Sequence, residues 1–266
     1  MPSTSNLQQR IASLTNIQKV TGAMTTIASL RLRKLAANQV ALEKFESELA
    51  LWVSAATPIF WRDEASGSVQ QKSTLTLAVV FTSDRGLCGS HNHAVHRVLD
   101  RLVRDAENAG KTVELVCIGS KGSAYARRRG YRVVQQKGAK EPTASELRDL
   151  ADLLVDRFGT GEVVAVDLIY NRFVSTLRQV AQLRPALPLA TLAENATRVA
   201  VRYLLAVAFA HSAISEQAAR RIAMDNASKN ARELTTQAVK ERNRVRQARI
   251  TGELIEIVSG KEAMKR

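Results

Sequence analysis

Apolar residues in the first fifty positions recur at the spacing of a single helical face: Leu7, Ile11, Leu14, Ile17, Val20, Met24, Ala28 and Leu35. From residue 5 to about 57 there is no interior proline and one interior glycine, Gly22, so the pattern predicts one long N-terminal helix. Pro58 and the polar stretch 63–73 end it. The period then changes to that of strands. The run LTLAVVF at 75–81 reads as a buried strand, followed by a helix at 93–109, a strand at 112–118, a short helix at 123–129, a strand at 131–135, a helix at 145–158 and a strand at 162–170. This alternation predicts a Rossmann-like α/β domain with a largely parallel sheet. One more strand, 176–183, is expected to run antiparallel after a turn at Asn171, with Pro185 and Pro188 closing the domain.

Residues 197–259 contain no proline and one glycine, Gly252, and so predict a second very long helix. Its stripe of Met224, Ala227, Ala231, Leu234, Ala238, Glu241, Val245 and Ala248 alternates spacings of three and four, as a coiled-coil seam does. A helix of about 60 residues spans roughly 90 Å, more than a globular domain of this chain would cover, and is expected to protrude. The expected organisation is a shaft helix at 1–60, an α/β domain at 74–189 and a second shaft helix at 195–266. The two terminal helices pair as an antiparallel coiled coil, with the α/β domain at its side. After Ala248 the apolar positions shift phase to Ile250, Leu254, Ile257 and Val258, which predicts an unpaired tip that requires a surrounding sleeve.

Charge adds a demand for partners. The 266 residues carry 39 Lys and Arg against 25 Asp and Glu, a net +14, which favours acidic surfaces: nucleic acid, anionic lipid or carboxylate-rich protein. No acid precedes Glu43, although acids would favour a helix start, so the basic first helix points to a contact rather than to helix stability. Cys88 and Cys117, the only cysteines, lie too far apart in sequence and context to suggest a disulfide framework. The N-terminal sequence has no continuous apolar core of a signal peptide, and no run of about 18 apolar residues suggests a transmembrane segment.

Three separated blocks resemble the gamma subunits of F-type rotary ATP synthases. They are RIASLTNIQKVTGAM from Arg10 with SLRLRK from Ser29, TSDRGLCGSHN from Thr82, and SEQAARRIAMDNASKNARELT from Ser215 with RQARITGELIEIVSG from Arg246. The resemblance implies a non-catalytic central-stalk rotor of a proton- or sodium-translocating synthase, transmitting torque between a membrane c-ring and a catalytic head. Alpha and beta subunits, the epsilon subunit and the c-ring are the implied partners. The implied location is peripheral, on the cytoplasmic face of the bacterial plasma membrane. It places Met24, Arg246, Gln247 and Thr251 on the family's head-contact motif, and Arg242, Arg249, Leu254 and Ile257 on the same terminal segment. It implies no cofactor, metal or nucleic acid. Gly22 stands where relatives usually have lysine, Arg242 and Asn243 where they have an aromatic and Asn, and Arg249 where they have a small residue. The segment from 188 to 197 is also shorter than usual.

Other chemistries are weaker. Cys88, His91, His93 and His96 are metal-ligand types, but their spacing fits no standard zinc site; a tight turn entering a helix, with His96 facing outward, accounts for them. Gly86 to Gly89 and Gly119 to Gly122 follow strands as phosphate loops do, but neither ends in Gly-Lys-Ser/Thr. The seven basic residues from Lys121 to Lys140 would serve a nucleic-acid-binding coiled-coil protein, the alternative function, or a solvated or protein-contact face. Arg242, Arg244, Arg246 and Arg249 lack evident balancing acids and read as a contact surface for carboxylates.

Overall fold

The computed structural model describes residues 4–37, 39, 41, 43, 44, 46–48, 73–189 and 194–263. The elements in chain order are α1 (Thr4–Ala36), β1 (Leu75–Phe81), α2 (His91–Asn108), β2 (Thr112–Ile118), α3 (Ser120–Arg128), β3 (Arg132–Lys137), α4 (Ala144–Gly159), β4 (Ala165–Phe173), β5 (Gln179–Leu187) and α5 (Glu194–Ala263). They divide into two compact units, one of residues 1–27 with 221–266 and one of residues 28–220. The α/β-plus-paired-helix class is as expected. Pro58 and the polar stretch from 63 to 72 lie outside the described residues.

In the larger unit the sheet order is β3-β2-β1-β4-β5. The first four strands are parallel and β5 is antiparallel to β4. Both faces are covered, which is why β1 reads as an unbroken apolar run. Leu77, Val79 and Phe81 point to one core with Leu150 and Leu154 of α4 and Leu204, Leu205 and Ala208 of α5. Ala78 and Val80 point to the other, with Val95 and Leu99 of α2 and Ala126 of α3. α5 is long and apolar enough by length and composition to cross a membrane, but Val201, Leu205 and Ala208 in its apolar stretch are fully buried against the sheet.

Two boundaries move for physical reasons. Asn171 is not a turn: β4 continues to Phe173, and the reversal occurs where the amides of Val174 and Ser175 donate to the carbonyl of Arg178 and the amide of Arg178 donates to that of Ser175. Pro185 does not close the domain but sits inside β5, opposite Asp167. A proline is tolerated there because β5 is an edge strand and the register slips between Val166 and Asp167. The N-terminal helix is also shorter than its pattern: α1 ends at Ala36, Ala37 is in a turn, and the described residues from 39 to 48 are again helical.

In the smaller unit α1 and α5 pair through small residues, and a Cβ placed on Gly22 would lie 4.0 Å from Ser228 Oγ. Farther along the same two helices Leu32 clusters with Ile214 and Ala218, so the pair is antiparallel. On α5 the seven-residue spacing holds: Met224, Ala231 and Ala238 are buried and Val245 half-buried. The alternate seam positions shift by one. Thr235 and Arg242 take the places expected for Leu234 and Glu241, which are exposed. On α1, Gln18, Thr21 and Thr25 face inward and Ile17 and Val20 are left 49% and 58% exposed, because the strict heptad from Leu7 through Leu14, Thr21 and Ala28 sets the face. Thr21 satisfies its hydroxyl on the carbonyl of Ile17, so burying it costs no orphaned donor.

Candidate functional site

The seam stops before the chain does. Extending the antiparallel pairing of Gly22 with Ser228 places Leu7, the first buried residue of α1 among those described, opposite residues near 243. Beyond Val245 every described α5 side chain is exposed except half-buried Gly252; Ala248, expected in the seam, is exposed. At about 100° per residue, Arg246, Arg249 and Glu253 continue the face that Ala238 and Arg242 begin. Ile257, Ile250, Leu254 and Val258 occupy an adjoining arc roughly 100° wide that begins about 20° beyond Arg246, and exposed Ile255 extends the apolar surface farther round. Ile250, Leu254, Ile257 and Val258 are 45%, 57%, 67% and 59% exposed.

The predicted contact residues divide accordingly. Arg246, Gln247, Thr251, Leu254 and Ile257 are exposed on this tip, while Met24 and Arg242 are half-buried in the paired region. Arg242 donates to Asn243 Oδ1 at 3.2 Å. Arg249 is not without a balancing acid, as it pairs with Glu253 one turn on at 3.2 Å. That exposed pair contributes about 0.3–0.5 kcal/mol and leaves Arg246 as the uncommitted cation of the face among the described residues.

The signature after β1 forms a second built site within the larger unit. Ser83 is buried; its amide donates to Asn92 Oδ1 at 3.0 Å, and Asn92 Nδ2 donates back to Ser83 Oγ at 2.8 Å. The buried thiol of Cys88 lies 3.4 Å from the same amide nitrogen. Asp84 accepts from the amides of Ser120 and Ala139, both at 2.9 Å. The N-terminus of α3 is therefore already occupied by a carboxylate of the chain. Gly119 has φ +101°, and a Cβ there would fall 2.1 Å from Thr82 O, while one at Gly122 would fall 2.7 Å from Thr82 Oγ1. Both glycines exist to let α3 approach the end of β1.

The loop is tied to α5. Asn171 Nδ2 lies 2.9 Å from His91 O and 3.0 Å from His91 Nδ1; an amide nitrogen only donates, so Nδ1 accepts and the ring proton sits on Nε2. Ser215 Oγ donates to Asn171 O at 3.0 Å, and Arg220 donates to the carbonyls of Arg85 and Gly86. Burial, then the charges of Arg220 and His96, pushes His91 down to about 4, so the ring is neutral at physiological pH. At the loop's tip Leu87 is 60% exposed with φ +62°, a left-handed conformation that costs a branched side chain on the order of 1–2 kcal/mol.

The four metal-ligand types do not converge. His91 faces Asn171 and Cys88 faces Ser83, while His93 is exposed. His96 does not face outward but stacks on Tyr125 at 3.9 Å. Among the described residues no group of three His, Cys, Asp or Glu is placed to hold a metal. The basic stretch is partly spent internally, with Arg129 on Asp100 and Arg132 on Glu114. Missed in the sequence were Asn171, Ser215 and Arg220. The one available signal was Glu216 four residues before Arg220, which marks an arginine held in place on its helix.

Comparison with known proteins accounts for the whole chain. A family model described as ATP synthase matches residues 3–264. Proteins named ATP synthase gamma chain are similar at 32% identity in Clostridium acetobutylicum (97% of each chain), 33% in Moorella thermoacetica (98% of each) and 31% in Rhodospirillum rubrum (99% of this chain, 100% of that one). Among solved structures, a chain of the Euglena gracilis mitochondrial ATP synthase, described as OSCP/F1/c-ring, shares the fold with a TM-score of 0.71 at 17% identity over 98% of this chain and 94% of that one. A chain of the Tetrahymena thermophila central stalk/c-ring does so with a TM-score of 0.56 at 23% identity over 79% and 99%. Nothing in these matches supports the nucleic-acid-binding alternative. With paired terminal helices, a bare apolar tip and the α5-tied loop all present in one chain that matches over its full length, this protein belongs to the ATP synthase gamma chain family.

Proposed function

We propose that this chain is the central-stalk rotor of an F-type ATP synthase, a non-catalytic subunit that carries torque between a membrane c-ring and a catalytic head of alpha and beta subunits, with an epsilon subunit beside it. It works at the cytoplasmic face of a bacterial plasma membrane as a peripheral component, and its coupling ion is a proton or sodium. The observation that carries this reading is the tip of α5, which outruns its partner helix and presents Ile250, Leu254, Ile257 and Val258 to whatever surrounds it. In water such an arc has no reason to be apolar; inside a protein sleeve each of these side chains stabilises the assembly by about 1–3 kcal/mol when fully covered.

Torque requires an asymmetric shaft. The arginine face of Arg242, Arg246 and Arg249 and the apolar arc adjoin without overlapping, so the circumference of the helix is uneven and each catalytic subunit meets a different surface as it turns. The head's conformational equilibrium is shifted accordingly. Arg246 and Gln247 supply charge-assisted hydrogen bonds to carboxylates of the head, with Met24 and Thr251 in the same contact. The test is co-purification with alpha and beta subunits, then ATPase and ion-pumping assays with and without residues 246–266. Loss of coupling in the shortened chain is expected; an assembled head whose hydrolysis stayed fully coupled would refute the role of the tip.

A further inference from the structure

We propose that the crevice beyond the carboxyl ends of β1, β2 and β3 is a binding site for a small amphipathic anion with an apolar body and a single charged head. The cavity has a volume of about 300 Å³, within the range of small-molecule sites. It opens at the carboxyl ends of the strands, the end from which open α/β sheets bind ligands, on the β1-β2-β3 flank rather than at the β1/β4 switch point. The last residues of the three strands, Phe81, Ile118 and Lys137, form one side; Leu147 and Leu150 of α4 and Leu205 of α5 form the other. Phe81, Ile118, Leu150 and Leu205 are buried residues of the sheet's core that also line this space, so its depth is apolar and fixed by packing.

The head group follows from what the mouth still offers. In this fold a diphosphate is ordinarily held by backbone amides at helix N-termini. Here both adjacent N-termini are taken: Asp84 accepts from Ser120 at the start of α3, and at the start of α4 Thr143 accepts from the amide of Glu146 while Glu146 accepts from that of Thr143. What remains is Lys140 and Lys137, neither in a salt bridge among the described residues although the charge of Lys137 already favours the carboxylate of the cap-committed Glu146, against Glu141. Two ammonium groups at the edge of an apolar slot suit one carboxylate, sulfonate or phosphate with a hydrocarbon or ring behind it. They do not suit a dinucleotide.

Decanoate is the probe. Added to the full chain with 13C-labelled isoleucine and leucine methyls, it should shift Ile118, Leu147, Leu150 and Leu205 saturably. Lys137→Gln combined with Lys140→Gln, both at the cavity mouth, should leave the methyl spectrum of the free chain intact yet weaken binding by about fivefold or more. In that variant decanoate should bind no better than decanol. The proposal is overturned if decanol matches decanoate in the native chain, or if the double variant binds decanoate as the native chain does. It is equally overturned if the shifts appear on Ile250, Leu254 and Ile257 of the α5 tip without saturating, which is adsorption to exposed apolar surface.

Discussion

Arg220 Nη2 lies 3.3 Å from the carbonyl oxygen of Arg85, so a side chain of the long C-terminal helix closes the loop that follows the first strand. The same guanidinium reaches Gly86 O at 3.4 Å and pairs with Glu216, and the Arg220 side chain is only 11% exposed. Truncating it removes hydrogen bonds from a charged donor and leaves Glu216 as an uncompensated, mostly buried carboxylate. Arg220→Ala is expected to destabilise the α/β unit by about 2–4 kcal/mol, measured by urea unfolding. Arg220→Lys, which keeps the charge but not the fork, should recover less than half of that.

Leu87 should be replaceable with profit to the fold. Its φ of +62° is unfavourable for leucine and indifferent for glycine, and 60% of its surface is already in water. Leu87→Gly is expected to raise stability by about 0.5–1 kcal/mol in thermal unfolding. A loss of stability would mean that its side chain contributes packing that its exposure conceals.

The space at Gly22 admits a side chain. The nearest atom to an added Cβ is Ser228 Oγ at 4.0 Å, an ordinary contact. Gly22→Ala should therefore stabilise α1 by about 0.5–1 kcal/mol, through lower backbone entropy in the unfolded chain, as read by circular dichroism melting.

Stability should fall as pH drops from 6.5 towards 4. His91 is neutral in the folded chain down to about 4, held there by burial, while in the unfolded chain it takes a proton near 6.5. Between those values the unfolded state binds more protons, so acid favours unfolding; below 4 the full loss is about 3 kcal/mol. Half-buried His96, pushed to about 4 by burial, adds in the same direction. Glu46 acts at lower pH. The hydrogen bond from His211 outweighs burial and, with the charges of His211 and Arg184, holds its carboxyl below the ordinary value. The stability it contributes is present above about 4.5 and lost as pH falls through its lower folded value. His91→Gln should flatten the slope between pH 6.5 and 4 in urea titrations.

The element order, the parallel sheet and the pairing of the ends were legible because each rests on a periodicity that burial enforces along many residues. Seam positions seven apart, such as Met224, Ala231 and Ala238, follow the apolar pattern, whereas the half-buried seam position is Thr235 rather than its apolar neighbour Leu234, because helix geometry and not apolarity decides which side faces the partner. A threonine that donates to the carbonyl four residues back, as Thr235 does to Ala231, behaves as an apolar residue towards its partner. Pro185 misled because a single sequence does not say which strand is at the edge. The ties of Asn171, Ser215 and Arg220 to the loop join positions 44 to 135 residues apart, and no local pattern carries such distances. The tip was legible as a change of phase, though it begins after Val245 rather than after Ala248.

Rotation of this chain inside its head is the most direct measurement. Cys88 and Cys117 are 3% and 0% exposed, so a cysteine introduced at exposed Arg104 can be labelled selectively with a gold rod in a complex of alpha and beta subunits fixed to glass. Addition of ATP is predicted to turn the rod steadily in one direction, with pauses that lengthen as ATP is diluted. Hydrolysis of ATP by the assembled head with the rod stationary would contradict the assignment of this chain as the rotor.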